Sequence, residues 1–588
     1  MQTRRYPWRR LALLWAAVSI CLIWFYWQKA VTGHYDDPDD FLRLQQVRDF
    51  LNGQSWFDLT QHRIAPPGGL AMHWSRLVDI PLLAFLWPLK PILGQQFAEA
   101  VAVVAAPLLT LLTLMVAMVA MTRRLLGHDM ATTILAALLP LSAPAVFLQI
   151  HPVRIDHHGW QIALAALAIA ALMQRNARVS GIGTGVALAL YLNISIEGAP
   201  FVVASLGAVG LLWAANRDTG ARLTAALWTL ALATLVATAL TAPGYRWTEG
   251  LCDAIMPSHI AAMFVAAAGT ALAVRFGAES GVFARMTLLG AVLFATIATF
   301  GIAAPTCLGS PFGHMDPIVG NFWYDNVVEG MPVWRQDAVS AASMIGFPLL
   351  GLVGSVIGYA RASSPEMRRR WAIILIVLIA TLLTGAMVRR AAAVAQVVAV
   401  PGALVLVGIL VRWGEARLAM VVRAVWTAAT VVGLSPLTPV VAVAAFMPPT
   451  VDKPLKQMPK GRCDQNCIIA KLATLPPQTF LTGIDLGPSL ISRTPHSAYG
   501  AGYHRLEKPL HDMILFFEGS PEQGEAFMRT HRLTAILIGP QSEEAKLFIK
   551  IAPNGMMARL ARGTPPAWLV EQDLGSTALR LYRVRDRR

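Results

Sequence analysis

Blocks of roughly 17–25 mostly apolar residues, the length that crosses a bilayer's hydrocarbon core, recur from Leu11 to about residue 447. This repetition constrains the fold more than any other feature. In lipid the backbone must satisfy its own hydrogen bonds, so each block is expected to be a helix. Composition agrees. The 588 residues are 55% hydrophobic and 14% charged, with mean hydropathy +0.53, whereas soluble domains are about 25% charged. A disordered chain and an ordinary soluble enzyme are excluded. The chain is expected to be a mostly α, polytopic membrane protein.

Arg4, Arg5, Arg9 and Arg10 precede an apolar run from Leu11 to about Trp27 with no small-residue cleavage site after it. This predicts an uncleaved first span with its N-terminus inside. Residues 79–93 are cut by Pro81, Pro88 and Pro91 and are expected to be interfacial or re-entrant. Further spans are expected at 97–122, 131–150, 160–174, 181–196, 198–215, 222–242, 259–275, 284–304, 340–360, 371–388, 391–411 and 421–447, about 13 helices in all. In this threading the inside loops hold Arg123 and Arg124, Arg175 and Arg178, Arg217 and Arg222, Arg275 and Arg285, Arg361 and Arg368 to Arg370, and Arg412, Arg417 and Arg423. The net charge of +15 is therefore read as a positive-inside pattern. No run of basic and aromatic residues suggests a nucleic-acid partner.

Composition changes near residue 450. Only Lys29 and Lys90 precede it, and seven lysines follow. Strand-like runs at Thr534–Gly539 and Ala578–Tyr582 alternate with helical stretches at 521–532 and 542–551. The expected division is a membrane domain, 1–449, with external loops at about 31–96 and 305–339, and a small external α/β domain, 450–588. An odd number of spans places that domain outside, in the periplasm of a bacterial-type inner membrane. Cys252 with Cys307, and Cys463 with Cys467, are candidate disulfides there. Spacing alone establishes neither.

In a chain so poor in charge, the polar clusters of the outer face carry information. His34-Tyr35-Asp36-Asp37-Pro38-Asp39-Asp40, followed by Arg43, fits either a helix N-cap or a metal or base site. His151 to His158 holds Arg154, Asp156, His157 and His158, whose imidazole and carboxylate groups suit Mn or Zn better than Mg alone. The loop 305–339 contains Tyr324, Asp325, Glu329 and Pro332. Met387-Val388-Arg389-Arg390 sets two arginines on the side that the inside rule disfavours, where an anionic headgroup would explain them. Glu197 is a further acid near the membrane, and a structural role fits it as well.

These four clusters resemble the GT-C glycosyltransferases, most closely the catalytic subunit of oligosaccharyltransferase. That family is similar in having 13 membrane helices and an external C-terminal domain. Its motifs match Asp37-Pro38 with Arg43, Asp156-His157-His158, Glu329 with Pro332, and Met387-Val388-Arg389. The resemblance implies a divalent cation, Mn or Mg, held by Asp37, Asp156, His158 and Glu329, with Asp37 orienting or activating the acceptor. It implies that Arg389, with Arg43, holds the phosphate of a polyprenyl-linked sugar donor whose lipid tail lies between helices, with membrane lipids as further partners. Its external motif Trp-Trp-Asp is matched only by Asp485 in Thr482–Pro488. Without the tryptophans, protein N-glycosylation is not expected. A glycan, a lipid or another envelope molecule is the expected acceptor, with Asp485, Tyr499 and His504 as candidate acceptor-side residues. The competing readings are a transporter or flippase for a lipid-linked or anionic substrate, which would place ionisable groups at mid-bilayer, and a membrane scaffold.

Overall fold

A computed structural model describes residues 6–216, 219–309, 315–447, 465–575 and 578–585. Among them, ten helices are long and apolar enough to cross a membrane, and an eleventh forms if the bent pair Met420–Gly433 and Thr438–Phe446 is one span. Two of the spans expected from sequence fold as shorter apolar helices, Met130–Ser142 and His158–Leu172. The helix Asp79–Leu126 breaks at Gly94, whose φ of 73° only glycine adopts easily. The break separates the proline-rich 79–93 stretch from the span that follows it. The chain is thus an integral, multi-pass membrane protein with a small sheet near its C-terminus.

The residues cluster into two compact units, neither continuous in sequence. One comprises Met1–Val31, Trp74–Gly313 and Val328–Pro449; the other comprises Thr32–His73, His314–Val327 and Thr450–Arg588. The division differs from the single boundary expected near residue 449, because the polar 32–73 segment packs with the C-terminal residues.

In the helical unit, arginines tie helix ends together. Arg124 donates to the Ala170 carbonyl, Arg370 to that of Arg124, Arg222 to that of Gln174 and Arg285 to that of Trp213, at 2.7–3.2 Å. Helix ends leave unpaired carbonyls, and guanidinium groups satisfy them well. These bonds gather the arginines of expected inside loops at one end of the helices. Close helix packing relies on glycine. A Cβ on Gly354 would lie 1.9 Å from the Gly402 carbonyl oxygen, so the helices Ala338–Ala360 and Ala392–Arg417 touch backbone to backbone.

The second unit holds a five-stranded sheet in the order Ser497–Ala498, Thr479–Thr482, Ala535–Ile538, Arg580–Val584, Leu569–Gln572. The first two junctions are parallel and the last two antiparallel. Two of its strands and its helices Pro521–Thr530 and Glu543–Ile551 match the runs read from sequence. The 32–73 segment is stitched onto this sheet. Ala65 and Arg63 bond Ala498 through backbone, Arg63 donates to the Thr494 carbonyl (2.9 Å), and Arg48 donates to that of Ser492 (2.5 Å).

Candidate active site

The turn before the helix His158–Leu172 carries the densest polar cluster of the helical unit. Val153 sits at φ 69°, a strained conformation for a β-branched residue, and its N–H is anchored to the Val103 carbonyl. Beyond this kink, Asp156 is buried and accepts a short hydrogen bond from His157 Nδ1. His158 Nε2 and Arg154 Nη2 each lie 3.5 Å from its other oxygen. His158 Nδ1 contacts Gln161 Oε1 at 3.0 Å, which turns Nε2 towards Asp156. Burial opposes the Asp156 charge, but His157, His158 and Arg154 outweigh it and hold the carboxyl well below its usual range.

Asp156, His157 and His158 each offer a ligand atom, and these atoms lie within 4.8 Å of one another. One carboxylate and two imidazoles fit a divalent metal of the Zn or Mn type. His157 joins this set although only Asp156 and His158 were expected in it.

A second feature of the same unit is a cavity of about 210 Å³ lined by Glu329, Arg389, Arg390, Gln149, Ser340 and Ser343, with an apolar wall of Leu148, Met344 and Val440. Arg389 Nη1 contacts Gln336 Oε1 at 3.4 Å, and Arg390 Nε lies 3.4 Å from Glu197 Oε2. Gln149 links this cavity to the histidine cluster. It also lines a water-sized space beside Asp156, and its Oε1 accepts from Arg154 Nε at 3.1 Å. Arg154 and Arg390 stand in polar clusters read from sequence, whereas Gln149 carries no motif that sequence reasoning could rank, so the packing alone reveals its place.

The remaining expected residues belong to the second unit. Asp37 is half-buried and caps the helix Pro38–Leu51, accepting from Asp39 N at 2.9 Å. The N-cap reading of this motif is therefore realised, with Pro38 at the first helical position. Arg43, expected at the donor phosphate, is fully buried in that helix. Asp485 is exposed at the start of the helix Leu486–Arg493. Dehydration by its surroundings, together with the Asp37 charge, pushes its carboxyl up. Tyr499 is buried, with its hydroxyl 3.1 Å from His531 Nδ1. His504 is half-buried, its ring centroid 4.8 Å from that of His73. Cys252 and Cys307 form a disulfide in the helical unit. Cys467 is exposed, and Cys463 lies outside the described residues.

No family model and no curated protein matches the chain. Solved structures do. The archaeal oligosaccharyltransferase AglB from Archaeoglobus fulgidus, in complex with an inhibitory peptide and a dolichol-phosphate, aligns over 97% of this chain and 74% of its own, with TM-score 0.61 and 13% identity. The apo form aligns over 92% and 70%, with TM-score 0.65 and 14% identity. The fold is that of an oligosaccharyltransferase. A third structure, the same enzyme in complex with Zn and sulfate, aligns over 87% of this chain and 65% of its own, at TM-score 0.56 and 15% identity. At this identity it is the oligosaccharyltransferase fold that is shared, and the chemistry rests on this chain's own residues.

Proposed function

We propose that the protein is an integral-membrane glycosyltransferase that moves a sugar or oligosaccharide from a polyprenyl-phosphate-linked donor to an envelope acceptor on the external face. The observation that carries this reading is the cavity that combines Glu329 and Arg389 with an apolar wall, in a chain with the oligosaccharyltransferase fold. Guanidinium suits phosphate and the apolar wall suits a lipid tail.

In the proposed reaction, an acceptor hydroxyl or amide attacks the anomeric carbon while the bond from that carbon to the phosphate oxygen breaks. The polyprenyl phosphate leaves with the bonding electron pair, and the Arg389 guanidinium stabilises its charge. Asp37 orients the acceptor and takes up its proton. Asp156, His157 and His158 are the residues proposed to hold a divalent cation, which would supply Lewis-acid charge to the leaving phosphate. The lack of tryptophans around Asp485 favours a glycan or lipid acceptor over a protein sequon.

For location, we propose a bacterial-type inner membrane with the N-terminus in the cytoplasm and the 450–588 domain in the periplasm. The Cys252–Cys307 disulfide supports an oxidising compartment on its side. The arginine-bonded helix ends support a cytoplasmic face at the other end of the helices.

The test is transfer of radiolabelled sugar from a polyprenyl-phosphate donor by the purified protein. Arg389→Ala and Asp156→Ala are each expected to lower the rate by about 10²–10³, the scale of losing one charge-stabilising group. Wild-type rates in both folded variants reject the mechanism.

A further inference from the structure

Arg389 and Arg390 stand side by side on one wall of the cavity, yet their surroundings differ. Arg390 faces a carboxylate, Glu197, at 3.4 Å, and the pair is only partly exposed, at 24% and 33%. Its charge is largely answered inside the protein. Arg389 has a long hydrogen bond to the neutral Gln336. The nearby Asp337 carboxylate is engaged by the backbone N–H groups of Val339 and Ser340, which it caps at 3.0 Å. Glu329 lines the cavity as well, so the wall is not strongly cationic.

Glu197 is held in place by its own turn. It lies in the single turn Ile196–Gly198 that joins two membrane helices. A Cβ on Gly198 would fall 1.8 Å from the Tyr191 ring, so this turn is pressed against the helix Ala177–Ile194. The turn that carries the acid is therefore held against that helix, with the Glu197 carboxylate 3.4 Å from Arg390 Nε.

A diphosphate presents two charged groups and would use two adjacent guanidinium groups. A sugar phosphodiester carries one charge and needs one. We infer that the donor site is built for a singly charged polyprenyl monophosphate sugar, with Arg389 as its phosphate ligand and the Glu197–Arg390 pair discriminating against a diphosphate. This inference rests on the donor site proposed above and names the class of donor it accepts.

The experiment measures equilibrium binding of a polyprenyl monophosphate sugar, a phosphodiester, and the polyprenyl diphosphate of the same sugar and chain length to the purified full-length protein. Wild type is expected to bind the monophosphate about tenfold more tightly, a difference of about 1.4 kcal/mol. Glu197→Gln keeps the side chain's size and frees Arg390. It is expected to tighten diphosphate binding about tenfold and leave monophosphate binding within about twofold. Arg390→Gln is expected to keep the wild-type preference, and it serves if the Glu197 variant does not fold. Equal or tighter diphosphate binding by wild type overturns the inference, as does a Glu197→Gln ratio equal to that of wild type. Arg390→Gln weakening the monophosphate about tenfold also overturns it. Arg389→Ala separates the two levels. If it leaves both ligands bound as in wild type, the donor site itself is misassigned; if it loses both, only the preference is on trial.

Discussion

Glu544 places a carboxyl against the backbone of the turn that carries Asp485. Both its oxygens accept from Ile484 N, at 2.8 and 2.9 Å. A Cβ on Gly483 would fall 2.4 Å from Oε2. Burial of the carboxyl, with Asp485 adding to it, pushes Glu544 up to about 8. The folded state therefore holds a proton that the unfolded chain gives up near the ordinary glutamate value. Stability falls as pH rises from that value towards about 8, and it levels off above. Glu544→Gln mimics the protonated form, so its melting temperature should change less than wild type's between pH 5 and 8. Equal slopes in a thermal-denaturation series would refute this. The residues of this turn show how far sequence carries the reading. Asp485 stood out by its place in a motif, but Glu544 lies 59 residues later in an ordinary helix start, and only the fold brings it beneath the turn.

Short elements do most of the positioning. Asp37 caps a helix and is proposed to meet the acceptor, and substitution can separate these two roles. Asp37→Asn keeps a capping side chain, whereas Asp37→Ala removes the cap at a cost of about 1 kcal/mol. Both variants are expected to lose transfer, and only the alanine is expected to lower the melting temperature. An asparagine variant with wild-type transfer would leave Asp37 as a cap alone. The membrane helices are read well from hydropathy because lipid demands a continuous apolar stretch. Their contacts are less legible. Gly354 and Gly402 look like any glycines in an Ala-rich helix, yet each sits where a neighbouring backbone leaves no room for a side chain. Gly402→Leu should destabilise the helical unit by about 1–3 kcal/mol or more, read as a lower melting temperature in detergent. An unchanged melting temperature would mean that the two helices can separate freely.

At the scale of the molecule, charge and order along the chain govern what could be foreseen. The arginine asymmetry orients the threading, and the shift to lysine near residue 450 marks a second type of fold. What hydropathy could not show is that the polar stretch 32–73 belongs with that second fold, since loops and domain segments look alike in composition. Arg48, Arg63 and Ala65 make its bonds to residues 492–498, and no local pattern announces partners more than 400 positions away. A chain cut after residue 449 is expected to keep its membrane helices while 32–73 becomes sensitive to added protease. Resistance equal to that of the full chain would show that the segment is ordered without the sheet. The same arrangement sets a timetable for biogenesis. The 32–73 stretch emerges early from the ribosome, but the strands that receive it are made only after some further 400 residues, roughly 20–80 s of synthesis at about 5–20 residues per second. During that interval its arginines and apolar residues have no partner strand to fold onto. The second unit is thus assembled last, after its first segment has waited for its final one.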